Sequence, residues 1–267
     1  MGIFRKVSGK IKNIKRKVFH KLLVLLKPLL INIFEIEALV LKYLAAKAYK
    51  KLFWATWNIS ENPEFFDHHI DLFYLWQKTK NSLWLERGVF GNLAIKRGGK
   101  VMELACGDGF NSRNFYSHLA ESVLSVDFDK NAIKTAKKKN SAKNVEYILA
   151  DIRTNMPNGD FDNIVWDAAI EHFTKNEIKK IMKNIKVMLE QKKGILSGYT
   201  MVEREKRKGL QQHEYEFKNM ADLKRFLTPH FKNVIVFETI FPERHNLYFW
   251  ASDGTIPFSD GWKYWSK

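Results

Sequence analysis

Four acidic residues lie at the ends of short apolar runs, at Glu103, Asp127, Asp151 and Asp167. The runs have the length of buried strands and helical patterns separate them, so the sequence predicts parallel strands whose carboxyl ends share one edge of a sheet. Carboxylates gathered at such an edge can accept hydrogen bonds from hydroxyl or amino groups of a ligand. We therefore expect a ligand site at the carboxyl edge of an open α/β sheet.

A small-residue turn follows the first of these acids and leads into a helical pattern over residues 111–120. Gly107 and Gly109 allow the backbone to turn sharply and a ligand to approach closely. The free N–H groups at the following helix start favour an electron-rich group. Asp127 comes 18 positions after Gly109, where a carboxylate ending the second strand of a βαβ unit can accept both hydroxyls of a ribose.

The run Glu103-Leu-Ala-Cys-Gly-Asp-Gly109 resembles the Asp/Glu-x-Gly-x-Gly-x-Gly motif of class I S-adenosylmethionine-dependent methyltransferases, with Ala105 at the first glycine. The resemblance covers roughly residues 95–251. It implies a Rossmann-like, seven-stranded α/β sheet of order 3-2-1-4-5-7-6, in which the last strand is antiparallel. The segment Asp167-Ala-Ala-Ile-Glu-His-Phe173 is similar to the motif after strand four in small-molecule methyltransferases. The implied activity is methylation of a small-molecule acceptor, with oxygen as the preferred atom.

The resemblance also implies roles for individual residues around the cofactor S-adenosylmethionine. Glu103 would orient the methionine amine, Asp127 would hold the ribose hydroxyls, and Phe128 would lie against the adenine. Asp151 would accept from the adenine amino group, with Ile152 beside the ring. The implied cofactor-binding set is Glu103, Ala105, Cys106, Gly107, Asp108, Gly109, Asn111, Asp127, Phe128, Asp151, Ile152 and Asp167.

Three residues are candidates for catalysis on the acceptor side: His172, Asp167 and His213. In this fold the loop after strand four faces the cofactor sulfur, and an imidazole titrates near neutral pH, so His172 is a candidate general base. In many relatives a Glu-His pair here binds the cofactor or holds the loop instead. Asp167 would shape the methionine end of the pocket. His213, Tyr215 and Tyr199 would contact the acceptor. For His213 and Tyr215 the sequence leaves a second interpretation open, in which they only brace the loop.

A second helical pattern, rich in aromatic residues, precedes the first strand. It runs over Phe65–Trp76 and continues from Trp84 to Ile95. Helices at this position often cover the cofactor and shape the substrate pocket in the family, so Tyr74, Trp76 and Arg87 are candidates for a lid or for contacts to a ligand carboxylate. Core packing is the alternative interpretation of such an aromatic stripe.

Composition limits the class of protein further. With one cysteine, Cys106, in 267 residues, the chain has no internal disulfide framework and suits a reducing, cytoplasmic location. No Cys/His cluster with metal-ligand spacing is present, so the sequence predicts no metal site. We expect a helical N-terminal extension over residues 1–60 and a methyltransferase domain over residues 61–267, with its core at 95–251.

The net charge of +16 is concentrated at the N-terminus: residues 1–51 hold thirteen Lys/Arg against two glutamates, which accounts for eleven of those charges. Residues 22–41 are apolar, but Lys27, Pro28 and the two glutamates interrupt them and disfavour a spanning helix. A basic segment beside an apolar one suits an anionic membrane surface, which residues 1–45 would bind from the cytoplasmic side. A helical cap on the domain is the alternative.

Three other functions are alternatives for this sequence. A dinucleotide-binding fold would need a third glycine after Gly109, where Phe110, Asn111 and Ser112 stand. An RNA or protein methyltransferase could dock through its basic arm, although the loop after strand four lacks the Asp/Asn-Pro-Pro-Tyr arrangement of nucleobase amino methyltransferases. Nucleic acid is therefore the less favoured partner. A membrane-associated module that binds S-adenosylmethionine without turnover is the third alternative.

Overall fold

The structure is a computed structural model that describes residues 24–41, 43–45, 47–48, 51, 83–202, 213–241 and 244–263. The chain divides into two compact units, residues 1–80 and residues 81–267. The predicted domain boundary after residue 60 and the aromatic pattern Phe65–Trp76, with Tyr74 and Trp76, lie outside the described residues.

In the first unit the described residues, 24–41, 43–45, 47–48 and 51, are helical, and nearly all are exposed to solvent. The exposed side chains include large apolar ones such as Leu25, Ile36 and Leu39. Across the described ranges, no helix combines the length and the apolar character that crossing a bilayer requires.

The second unit is built on a seven-stranded sheet of order β3-β2-β1-β4-β5-β7-β6. Strands β1 to β5 are parallel, and β7 runs antiparallel to both of its neighbours, β5 and β6. The predicted strand order and antiparallel last strand are thus confirmed. The strands are β1 (Lys100–Leu104), β2 (Ser122–Asp127), β3 (Val145–Leu149), β4 (Asn163–Asp167), β5 (Ile195–Met201), β6 (Asn233–Phe241) and β7 (Arg244–Ser252).

Among the described residues, five α-helices and two 3₁₀ turns accompany the sheet: α1 (Leu83–Ala94), α2 (Phe110–Asn114), α3 (Lys130–Lys139), α4 (Lys175–Glu190) and α5 (Met220–Leu227), with the 3₁₀ turns at Tyr116–His118 and Ile170–His172. The helix predicted over residues 111–120 is therefore too long, since α2 ends at Asn114. Tertiary packing accounts for the break. Phe115 lies against Gly88, where a Cβ would collide with its ring, and Tyr116 is fully buried beside Gly91.

Helix α4 shows how sequence pattern and packing agree. Thr174 and Glu177 form a capping box that satisfies backbone N–H groups at its start. Its inward face then buries six apolar side chains in the main core, each contributing about 1.5–3 kcal/mol by leaving water. These are Ile178, Ile181, Met182, Ile185, Met188 and Leu189.

Helix α1 is fixed to the β6–β7 side of the sheet by aromatic contacts. The ring of Phe90 lies 5.0 Å from that of Phe237 and 4.8 Å from that of Tyr248, both edge-on. The indole N–H of Trp250 donates to the Phe90 carbonyl at 3.1 Å. This packing holds α1 in register and brings Arg87 to the carboxyl end of β4.

Candidate functional site

A cavity of about 400 Å³ opens at the carboxyl edge of the sheet, within the size range of ligand pockets. It brings together five residues of the predicted cofactor set and His172. Four further residues, which the sequence did not single out, complete the wall. The lining residues are Ala105, Asp127, Phe128, Ala150, Asp151, Ile152, Arg153, Ala169, His172 and Phe173.

The turn after β1 adopts left-handed backbone at Ala105, Gly107 and Gly109, with φ of 53°, 55° and 74°. Gly109 is also restricted by space, because a Cβ there would lie 2.5 Å from the ring of Tyr147. The Tyr147 hydroxyl donates to the Asn140 carbonyl at 2.7 Å, so this side chain is a fixed brace beneath the turn. Ala105 adopts its positive φ at a cost of about 1–2 kcal/mol, which a glycine would avoid.

Asp127, at the end of β2, ties the turn to the second strand. One carboxylate oxygen accepts the Gly107 N–H at 2.9 Å and the other accepts the Asp129 N–H at 2.8 Å. A carboxylate offers about four lone-pair directions, so both oxygens keep capacity for ligand hydroxyls. The neighbouring Phe128 ring is 68% exposed at the cavity, where it can lie against a flat ring.

Asp151 lies at the other end of the cavity and forms an ion pair with Arg153. The guanidinium donates to both carboxylate oxygens, at 2.7 to 3.0 Å. Hydrogen bonds from Arg153 lower the pKa of Asp151 despite its partial desolvation. The carboxylate is therefore ionised at neutral pH and can accept from an exocyclic amine. No pattern in the sequence marked Arg153 as a site residue.

Glu103 points away from this cavity wall into the protein. It is buried, and the Ser112 hydroxyl donates to its carboxylate, while Ser112 itself lies 2.8 Å from the Ser125 hydroxyl. Burial raises the pKa of Glu103 to about 8. A cation nearby would favour its ionised form, as the methionine ammonium would at the position that the resemblance implies.

Asp167, at the end of β4, is a buried carboxylate held by two partners. Arg87 of α1 donates to one of its oxygens from Nε at 2.9 Å and also from Nη2, and the Asn111 amide donates to the same oxygen at 3.0 Å. Burial raises the pKa of Asp167, and the charge of Arg87 acts in the opposite direction. The guanidinium also lies 4.9 Å from the centre of the Tyr199 ring. The carboxylate that Arg87 contacts is thus one of this chain's own.

The remaining members of the predicted set differ in exposure. Cys106 is buried, and burial raises the pKa of its thiol, which suits a small packing residue rather than a nucleophile. Asp108 is exposed, and its carboxylate accepts the Phe110 N–H at 3.1 Å. Neither side chain lines the cavity.

Glu171 organises the acceptor side from the 3₁₀ turn after β4. It is 3% exposed, and its carboxylate accepts from the Thr200 hydroxyl at 2.9 Å. Its backbone carbonyl accepts the N–H groups of Glu214 and Tyr215, at 2.9 and 3.1 Å. These bonds attach the chain after residue 212 to the turn that carries His172.

As a result His172 and His213, 41 positions apart in sequence, face each other with ring centres 5.0 Å apart. Burial lowers the pKa of His213, while burial raises the pKa of Glu171 beside the two imidazoles. The structure thus places both predicted histidines in one cluster with a buried carboxylate.

The two tyrosines considered for the acceptor side have their hydroxyls engaged within the protein. Tyr199 donates to the Asn246 side chain at 3.1 Å, and Tyr215 donates to Asp222 at 2.9 Å. Tyr215 also packs edge-on against Phe217. These contacts favour the bracing interpretation for Tyr215 and show that the Tyr199 hydroxyl also has a partner within the protein.

Comparison with solved structures shows the same architecture in other proteins. DhpI in its complex with SAH is 22% identical, with a TM-score of 0.50 over 68% of this chain and 87% of DhpI. SibL, an S-adenosylmethionine-dependent methyltransferase in its apo form, is 16% identical, with a TM-score of 0.51 over 70% of this chain and 59% of SibL. TehB from Haemophilus influenzae is 19% identical, with a TM-score of 0.50 over 68% of this chain and 66% of TehB. These likenesses show the fold.

Comparison with curated protein sequences found no significant match. The family comparison did find one, because residues 101–192, about a third of the chain, match the model of the methyltransferase domain family. That stretch contains β1 from its second residue, β2 to β4, the turn after β1 and the Glu171–His172 pair. Since this match falls on a sheet of the predicted strand order, residues 101–192 are a methyltransferase domain with the class I fold.

Proposed function

We propose that this methyltransferase transfers the methyl group to a hydroxyl oxygen of a small-molecule acceptor. The observation that carries the proposal is the cluster of Glu171, His172 and His213, because His172 lines the cavity and the other two side chains lie beside it. S-adenosylmethionine supplies a methyl group on a sulfonium centre, which an acceptor aligned behind it can displace in line. The protein must therefore bind the cofactor, exclude water and prepare the acceptor.

The residues at the carboxyl edge of the sheet would bind the cofactor. Asp127 would accept the ribose hydroxyls, with Phe128 against the adenine ring. Asp151 would accept from the adenine amino group, with Ile152 beside the ring. In this arrangement Asp167, with its partners Arg87 and Asn111, would border the part of the site that holds the methionine portion of the cofactor.

The cluster of Glu171, His172 and His213 would prepare the acceptor hydroxyl for methyl transfer. A hydroxyl must lose its proton as the new carbon–oxygen bond forms, whereas an amine can attack through its lone pair. Proton removal by a positioned imidazole typically contributes about 10²–10⁴-fold to a rate. His172 at the cavity wall is the proposed acceptor of that proton, and His213 faces its ring. This need for a proton acceptor is why oxygen is the favoured atom.

The proposal predicts a difference between matched hydroxyl and amine acceptors. With methyl-labelled S-adenosylmethionine, we expect transfer to hydroxyl-bearing small molecules such as phenols, and a loss of about a hundredfold or more in kcat in His172→Asn. The exposed His118→Asn is the matched control and should keep full activity. Transfer to amines that is indifferent to His172 would contradict the proposal. Labelling of RNA or protein would support a macromolecular acceptor instead.

We also propose that the N-terminal segment binds an anionic membrane surface. Two observations support this. Residues 24–41 form a helix whose apolar side chains are exposed, Leu25 by 80% and Leu39 by 65%. Residues 1–51 also hold eleven of the sixteen net positive charges. Apolar area and basic charge together are what interfacial binding requires.

Deletion of residues 1–45 is therefore expected to abolish sedimentation with vesicles rich in phosphatidylserine, while binding of S-adenosylhomocysteine stays unchanged. In the full chain, a Leu25→Glu/Leu39→Glu double variant should weaken sedimentation because it removes apolar area. Vesicles of phosphatidylcholine alone are the control for the effect of the negative lipid charge on sedimentation. Undiminished sedimentation of the deletion variant would contradict the membrane role and favour a cap on the domain.

A further inference from the structure

Glu171, His172 and His213 can each offer one ligand atom, and these three atoms lie within 4.8 Å of one another. We propose that the three side chains bind a divalent first-row transition-metal ion at the acceptor side of the cavity. The inference rests on the proposed function, because it assigns to the same cluster the means by which an acceptor hydroxyl is activated.

The donor set has the chemistry that such an ion prefers. Two imidazole nitrogens and one carboxylate oxygen bind zinc, iron, cobalt or manganese well, and three protein ligands leave positions open for water or substrate. By contrast, a site made for magnesium or calcium would consist mainly of oxygen ligands. The cluster therefore corresponds to a catalytic rather than a closed structural site.

Polar side chains lie next to two of the three proposed ligands, Glu171 and His213. The Thr200 hydroxyl donates to Oε2 of Glu171 at 2.9 Å, which fixes the carboxylate in the buried turn. Oε1 of Glu216 lies 3.6 Å from Nδ1 of His213, which places a second carboxylate beside this imidazole. Carboxylates and hydroxyls that support the ligands in this way typically accompany metal-binding histidines.

The ligand atoms need only a modest adjustment to close on an ion. Ligands about 2.0–2.2 Å from a metal lie roughly 3–3.5 Å apart in tetrahedral or facial octahedral geometry. The separation here is at most 4.8 Å. Glu171 is buried and fixed by its hydrogen bonds, whereas His172 is exposed at the cavity. Rotation of His172 about its side-chain bonds can therefore supply most of the movement.

Because His172 also lines the cofactor cavity, an ion held here would lie next to the place where an acceptor must sit. A hydroxyl bound to a divalent cation loses its proton more easily. The proton would pass to solvent, the oxygen–methyl bond would form as the sulfur–methyl bond breaks, and the bonding pair would stay on sulfur. In this form of the mechanism the histidines act as ligands, and the metal ion replaces the imidazole as the activating group.

The test is a titration of full-length, chelator-treated protein with Co²⁺, followed by visible absorption, and with Mn²⁺, followed by electron paramagnetic resonance. We expect one ion per chain in the wild type and in the control His118→Ala. Glu171→Gln, His172→Ala and His213→Ala should each weaken binding by more than the ~10–100-fold that loss of a supporting partner typically costs. Thr200→Val, which removes such a partner, should fall within that smaller range.

S-adenosylhomocysteine binding, measured on every variant, shows that each is folded and separates the two proposals. Intact nucleoside binding with no metal uptake, or metal uptake that the three substitutions leave unchanged, would overturn the metal site and leave the proposed function in place. Metal uptake by a protein that methylates only amines would instead overturn the oxygen acceptor. Because His172→Ala changes an exposed residue, the test does not depend on the buried Glu171 variant folding.

Discussion

Asp127→Ala is expected to lose the thermal stabilisation that S-adenosylmethionine and S-adenosylhomocysteine give to the wild type. The carboxylate lies in the cavity wall with acceptor capacity on both oxygens, and hydrogen bonds to a charged group contribute about 1.5–3 kcal/mol each. Loss of two such bonds weakens binding at least about a hundredfold. The ligand-induced rise in Tm should therefore disappear at ligand concentrations that shift the wild type by several degrees.

Two further variants test whether the lost thermal shift is specific to the carboxylate of Asp127. Asp260→Ala removes an exposed carboxylate in the C-terminal turns and should respond to ligand as the wild type does. Asp127→Asn keeps an acceptor for the turn and loses the charge, so its response should be intermediate. A full ligand-induced shift in Asp127→Ala would show that the nucleoside binds elsewhere.

Arg87→Met is expected to lower the free energy of unfolding by about 3–5 kcal/mol, because it leaves the carboxylate of Asp167 buried without its cation. Asp167 is 7% exposed and receives two donors of Arg87. The matched control is Lys96→Met. Lys96 also pairs with a buried aspartate, Asp162, but its own side chain is 70% exposed, so its loss should cost about 1 kcal/mol or less.

The cost of Arg87→Met should depend on pH in a definite direction. Without the guanidinium, the pKa of Asp167 in the folded state rises further above its unfolded value of about 3.9. The folded variant then binds a proton more tightly than the unfolded chain, so its stability falls as the pH rises between the two values. Urea unfolding should therefore show the largest loss at neutral pH and a smaller one near pH 4. Equal losses in the Arg87 and Lys96 variants would contradict the assignment of a buried pair.

The sheet and its ligand edge could be predicted because local patterns determine them. Short apolar runs that end at Asp127 or Asp167 mark strands, and parallel strands place such acids at one edge. Features that depend on the direction of a side chain could not be predicted from the sequence. Glu103 ends up against Ser112 rather than in the cavity wall, which no pattern along the sequence distinguishes.

Contacts between segments that are far apart in the sequence could not be predicted either. His172 and His213 meet because the Glu171 carbonyl binds the backbone at Glu214 and Tyr215, and a single sequence carries no signal for that link. The break after α2 likewise depends on Phe115 packing on Gly88. In both cases tertiary packing decided what local propensity could not.

We propose the cavity at the carboxyl edge of the sheet as the binding site for the nucleoside of S-adenosylmethionine. The most direct test is calorimetric titration of S-adenosylhomocysteine into the full-length wild-type protein. We expect saturable binding of one molecule per chain in the micromolar range, which S-adenosylmethionine displaces. Titration without a binding signal for either compound would contradict the claim, because the residues at this edge would then not form a cofactor site.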